Sequence, residues 1–242
     1  MIELLTEYIK RANCLLVLTG AGISKDSGIP TFRGKDGWYK NHPPEELATP
    51  HAFSKNPAFV WEWYNYRRKI ILSATPNEAH YKIAELEKHF SCFLLVTQNV
   101  DSLHRKAGST KIVELHGNIF RTRCTRCHRE FTEDYRVFKE DELPPKCPHC
   151  NGILRPSVVW YGESLNPDDI QRAFSFAEKA DLILVVGTSG IVYPAAMLPH
   201  VVKSRGGIVV EINPDTTPIS EIADLKIKEG AFCALLKLKL DF

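Results

Sequence analysis

Short strand-like runs rich in Leu, Val and Ile, largely continuous rather than alternating in apolar character, recur along this chain at 14–18, 93–97, 112–115, 157–160, 182–186 and 208–212. Most are bounded by Gly, Asn or Asp, and segments with helical spacing lie between several of them. A strand that is apolar at every position is buried on both faces, which is the condition of a parallel sheet with helices packed on each side. The pattern therefore predicts an α/β fold built on a Rossmann-like, doubly wound parallel sheet. Asn56-Pro57 and Asn166-Pro167 each place a capping side chain ahead of a proline suited to a first helical turn, and so predict two helix starts.

Two stretches break the alternation. Residues 31–56 mix Gly, Pro and aromatics without a period, and residues 118–156 carry two cysteine pairs. The expected organisation is a Rossmann-like domain of residues 1–117 and 157–242, interrupted by a small metal-binding module of residues 118–156. The 31–56 stretch, read as a functional loop, and the helical segment 57–90 would complete the small lobe.

Composition narrows the function class. With 31 basic and 29 acidic residues the formal charge is +2, which argues against a protein that coats nucleic acid or a membrane surface. A 44% hydrophobic, 25% charged chain of 242 residues can bury a full core, as one large domain or one with a small insert. No apolar run approaches the roughly 20 residues of a membrane-spanning helix, and the amino terminus lacks signal-peptide zones. A cytoplasmic protein without a membrane or nucleic-acid partner is expected.

Of seven cysteines, Cys124, Cys127, Cys147 and Cys150 form two Cys-x-x-Cys turns, the spacing by which paired knuckles supply four thiolates to one tetrahedral zinc. A closed four-sulfur shell has no position for water or substrate, so this zinc would be structural. His128 and His149 adjoin the knuckles, but the cysteine set is complete without them. Cys14, Cys92 and Cys233 lie in apolar surroundings and are expected to be buried free thiols. Arg121, Arg123, Arg126 and Arg129 make the module basic, so a non-catalytic zinc-ribbon binding protein is one alternative.

The run 15–18 leads directly into Thr19-Gly20-Ala21-Gly22-Ile23-Ser24, a strand and glycine turn that lets backbone N–H groups approach a diphosphate. The third glycine of the dehydrogenase fingerprint is replaced by Lys25, and no acidic residue ends a second strand about 20 residues on, which demotes hydride transfer. Further along come Gly28-Ile29-Pro30-Thr31-Phe32-Arg33-Gly34, Thr97-Gln98-Asn99-Val100-Asp101, Leu115-His116-Gly117, the cysteine pairs and Gly187-Thr188-Ser189. In this order, over residues 15–231, these motifs closely resemble the sirtuins, NAD-dependent protein-lysine deacylases. Small departures are Tyr161-Gly162-Glu163, where Phe-Gly-Glu is more frequent, and Ser102, where Gly is common.

The resemblance implies NAD as cosubstrate beside one structural Zn2+. Gly20, Ala21, Gly22 and Ile23 would hold the diphosphate; Phe32 and Arg33 would shield the nicotinamide side, making the 31–56 loop cofactor-binding. Gln98, Asn99, Val100 and Asp101 would form the pocket, with Asn99 and Asp101 also serving catalysis. Gly187, Thr188, Ser189, Asn213, Pro214, Asp215 and Ala231 would contact the adenosine half. His116 would be the general base, as befits an imidazole titrating near neutrality. His104 matches a position near the pocket or packs within its helix. The implied products are nicotinamide, free lysine and a 2'-O-acyl-ADP-ribose, and the implied partners are proteins or peptides bearing acyl-lysine. Mono-ADP-ribosyl transfer in the same pocket is the related alternative.

Tyr64 and Arg67, three residues apart in a segment of helical character, would share one face. Within a sirtuin-like chain the pair resembles the feature of enzymes that remove succinyl, malonyl and glutaryl groups, so an acidic acyl preference with residual acetyl activity is expected. Ala48 would leave room for the longer acyl chain. The peptide is expected to pair with residues 158–162 and 190–193.

Overall fold

The computed structural model describes residues 1–31, 43–132 and 134–239. Its strands are β1 (Cys14–Thr19), β2 (Cys92–Thr97), β3 (Ile112–Glu114), β4 (Gly117–Cys124), β5 (Glu130–Phe131), β6 (Leu154–Val158), β7 (Leu182–Val186), β8 (Ile208–Ile212) and β9 (Leu225–Ile227). The helices are α1 (Ile2–Arg11), α2 (Pro44–Leu47), α3 (Pro50–Lys55), α4 (Pro57–Ser73), α5 (Glu78–His89), α6 (Leu103–Lys106), α7 (Pro167–Ala177), α8 (Leu198–Ser204) and α9 (Ala231–Leu236).

Six strands form one sheet in the order β3-β2-β1-β7-β8-β9, with every pairing parallel. The chain winds outward from β1 in one direction and from β7 in the other, so the topological switch lies between these two strands. Their uninterrupted apolar character follows from burial on both faces. Leu15 and Val17 join a core with Leu5, Ile83 and Leu235, from α1, α5 and α9. Leu16 and Leu18 face the opposite way, onto Ala173, Ala177, Leu198 and Val202 of α7 and α8. Both expected helix starts are present: the Asn56 side chain accepts from Phe59 N and that of Asn166 from Asp168 N, with proline in the first turn of α4 and α7.

The remaining strands form a second, antiparallel sheet in the order β5-β4-β6. This corrects the reading of residues 157–160 as a strand of the main sheet. The run is apolar because Val158 and Trp160 pack under α4 in a third core with Trp61 and Phe120. The sixth parallel strand is instead β9, only three residues long. Arg68 ties α4 to the small sheet: fully buried among Trp61, Phe120 and Phe138, it donates from Nε to Ile119 O and from Nη1 to Arg136 O. Burial lowers its pKa to about 10.

The expectation of three free, buried thiols is also corrected. Cys14 and Cys92 stand in register on adjacent strands, with Cα atoms 4.6 Å apart, and are joined as a disulfide, while Cys233 is exposed on α9. Ser102, just before α6, has φ 63°, the left-handed conformation that favours glycine, and its hydroxyl is held by Asn118 Nδ2 at 2.7 Å. Among the described residues, no helix is long and apolar enough to cross a membrane.

Candidate active site and metal centre

The carboxyl ends of β1 and β7 open into a cavity of about 1770 Å³. The turn after β1 is pressed against the turn after β7: Gly20 N donates to Val186 O and Gly22 N to Gly187 O at 2.8 Å. A Cβ on Gly22 would lie 2.7 Å from Gly187 Cα, so only a bare backbone permits this approach. A strand-to-helix turn bare of side chains, at the carboxyl end of a parallel strand, is where a diphosphate can approach the backbone closely.

The other sequence-singled residues fall into place around this cradle. Gly20, Ala21, Gly22, Gln98, Asn99 and Val100 line the cavity, as do His116, Tyr64 and Arg67. So do Gly187, Thr188, Ser189, Asn213, Pro214, Asp215 and Ala231, although they come from three separate chain segments. Asn213 Nδ2 donates to Thr188 O and Gln98 Nε2 to Thr188 Oγ1, which links the two halves of the rim. Ile23 is not brought to the cavity: it is fully buried in the core beneath the turn. Phe32 and Arg33 lie outside the described residues.

Asp101 also sits behind the wall rather than in it, 4% exposed. Its carboxylate accepts from Ser24 Oγ at 2.7 Å and from Leu103 N, and burial raises its pKa. Ser24 Oγ in turn receives Asn99 Nδ2 at 3.2 Å and faces His80 Nε2 at 3.4 Å. His80 Nδ1 accepts from Asn77 N in the capping box of α5, so the proton belongs on Nε2 and points at Ser24. Burial depresses His80 to about pKa 4 and keeps it neutral. Beside it, His104 Nε2 meets Thr19 Oγ1 at 2.9 Å, and its buried ring is likewise held neutral. This polar layer orients Asn99 from behind, and of its members sequence reasoning singled out only His104, Asp101 and Asn99. The Asn77-x-x-His80 spacing of a capping box was the available signal for His80.

His116 follows β3 and lines the cavity. Its Nδ1 lies 3.0 Å from Gln98 O, so Nδ1 carries the proton and Nε2 keeps its lone pair. Burial lowers its pKa, and the bond to Gln98 only partly offsets this. Gly117 explains the Leu-His-Gly motif: at φ 77°, a Cβ there would fall 2.2 Å from Ser157 O, where β4 meets β6.

Tyr64 and Arg67 project from α4 into the same cavity, with Ala48 nearby. Arg67 is only 3% exposed, its guanidinium 4.7 Å from the Trp63 ring centre. The Tyr64 hydroxyl accepts from Trp160 Nε1 at 2.8 Å, and burial raises the phenol pKa.

At the far end of the small sheet the four sulfurs of Cys124, Cys127, Cys147 and Cys150 lie within 4.8 Å of one another. Cys124 to Cys150 is 3.4 Å and Cys127 to Cys147 is 3.7 Å. Four thiolates at about 2.3 Å from a tetrahedral zinc would stand about 3.8 Å apart, so the set fits that ion. The two knuckles repeat one geometry, with His128 and Asn151 in the left-handed region four residues after each first cysteine. Arg126 N and Cys127 N donate to Cys124 Sγ, as suits a thiolate. His149 packs with Arg129 and Phe131 and has no place in the cluster. None of these cysteines lines the cavity.

Residues 20–194 match the Sir2 family. An NAD-dependent protein deacylase of Aquifex aeolicus (strain VF5) is 53% identical over 224 residues, covering 93% of each chain. A solved Sir2 homolog–NAD complex superposes with a TM-score of 0.92 at 48% identity, covering 98% of this chain and 91% of its own. A Sir2–p53 peptide–NAD+ structure gives 0.87 at 33% identity, covering 98% and 97%. A family match over most of the chain and relatives about 50% identical along nearly its whole length show that this chain belongs to the Sir2 family.

Proposed function

We propose that this protein is an NAD-dependent protein-lysine deacylase that favours succinyl, malonyl and glutaryl groups and also processes acetyl groups. Nicotinamide, free lysine and 2'-O-acyl-ADP-ribose would be its products. The observation that carries the reading is the shared cavity: the glycine cradle, His116 and the Tyr64–Arg67 pair all open onto one space.

When bound, NAD supplies an electrophilic ribose carbon that turns an unreactive amide into one that can be cleaved. The chain's own residues do the rest. Ala21 offers a main-chain donor to the diphosphate between Gly20 and Gly22, whose own N–H groups are held by the Val186 and Gly187 carbonyls, and Thr188, Ser189, Asn213 and Ala231 line the opposite rim. Asn99, its Nδ2 donating to Gly20 O and Ser24 Oγ, offers its Oδ1 toward polar groups of the ligand. His116, with Nδ1 engaged by Gln98 O, presents a neutral Nε2 that can take a hydroxyl proton. The four-cysteine cluster would hold zinc and keep the small sheet folded, with no open coordination position for a substrate.

Substrate choice follows from Arg67. A guanidinium almost wholly withdrawn from solvent gains charge-assisted hydrogen bonds from a terminal carboxylate, and an acetyl group offers it nothing comparable. Ala48 keeps that end of the cavity free of bulk. Arg67→Met is therefore expected to lower kcat/KM for succinyl peptides at least tenfold relative to acetyl peptides. An unchanged ratio would remove Arg67 from substrate recognition. The peptide backbone would run along residues 158–162 and 190–193, which gives tolerance toward flanking sequence.

A further inference from the structure

The Tyr64 hydroxyl is one atom that can act either as donor or as acceptor, and which role it takes toward a ligand is decided by what it already bonds. Here it accepts from Trp160 Nε1 at 2.8 Å, across 96 residues of sequence. An indole N–H can only donate, so the phenolic proton must point away from Trp160. Among the described residues this is the one hydrogen bond of the hydroxyl, and Tyr64 lines the cavity. Buried as it is, the phenol keeps its proton over the neutral range.

Trp160, which also lines the cavity, is held by several neighbours. The Arg155 guanidinium stacks 3.4 Å from the centre of its ring, and Phe53 packs against it at 5.1 Å. The Trp160 backbone N–H donates to Glu163 Oε2, whose carboxylate also receives Arg155 Nη1 and Nη2. The indole is 3% exposed, and these contacts hold its N–H toward Tyr64.

We propose that Trp160 is a positioning residue for acyl selectivity, its indole N–H compelling the Tyr64 hydroxyl to donate into the cavity and so to recognise a carboxylate. This deepens the acidic-acyl reading and rests on it. Without that N–H nothing fixes the direction of the hydroxyl proton, which can swing toward the indole's former place while the oxygen accepts from Arg67, a donor-only group, and its aim at the ligand would be lost. Neutral acyl groups present no anionic oxygen there and are less sensitive to that aim.

The test is a set of variants assayed on succinyl and acetyl peptides. Trp160→Phe keeps an aromatic ring but removes the donor, and is expected to cut the succinyl-to-acetyl ratio of kcat/KM about tenfold, mainly through KM for the succinyl peptide. In a Tyr64→Phe background the same change is expected to move the ratio less than twofold, because the acceptor is already gone. Site-specific benzothienylalanine at position 160, which exchanges the N–H for sulfur in a ring of the same shape, serves if Trp160→Phe does not fold. Arg67→Met is run beside them. If Arg67→Met shifts the ratio but loss of the N–H does not, the role of Trp160 is overturned and the acidic-acyl reading stands. Equal shifts in both Tyr64 backgrounds also overturn it, since Trp160 would then act by another route. No shift from Arg67→Met overturns the underlying reading itself.

Discussion

His116 owes its fitness as a base to two local facts, the burial that lowers its pKa and the Gln98 carbonyl that fixes its tautomer. The neutral, proton-accepting form is present above its pKa, and that pKa lies below the ordinary 6.5 of histidine. The acid limb of kcat/KM is therefore expected below pH 6.5, with activity lost as pH falls through it. His116→Ala is expected to reduce turnover by about a hundredfold or more and to abolish that limb, with NAD binding, measured by calorimetry, largely retained. A variant of near-normal turnover would contradict the assignment. At this scale the sequence was informative wherever chemistry sits in contiguous residues, as in Leu115-His116-Gly117 or the cysteine pairs. It was silent wherever a partner comes from far along the chain: nothing local to Tyr64 announces Trp160, and nothing near Ser24 announces His80.

Among the elements, the parallel strands were legible because burial on both faces leaves an unmistakable apolar run, and the capped starts of α4 and α7 because Asn-Pro states its geometry directly. β9 escaped because three residues carry no period, and β6 was misassigned because burial under α4 looks the same in sequence as burial within a sheet. The Cys14–Cys92 bond depends on the register of β1 against β2, a non-local property. The β4-β5-β6 sheet is small, and its cysteine end has little core beyond Leu154 and Phe131, so metal ligation must supply much of its stability. Stripping the metal with a chelator is expected to remove amide-exchange protection from residues 117–124 and 154–158 while β1 and β7 keep theirs. Protection retained throughout would contradict a structural role for the metal.

For the whole molecule, division of labour follows from the switch between β1 and β7. The parallel sheet delivers a backbone cradle at that point, β3 delivers His116 to the same opening, and α4 delivers Tyr64 and Arg67 from the opposite side. No single segment contains the site, which is why its members were recognisable only as an ordered set of motifs. The central claim is that dinucleotide cleavage and acyl removal are one coupled event in this cavity. It is tested most directly by mass spectrometry of all products formed from a succinyl-lysine peptide and NAD. The account predicts nicotinamide, free-lysine peptide and succinylated ADP-ribose in equal amounts, with negligible nicotinamide when the peptide is omitted. Free succinate formed without consumption of NAD, or ADP-ribose attached to the peptide in place of acyl transfer, would contradict it.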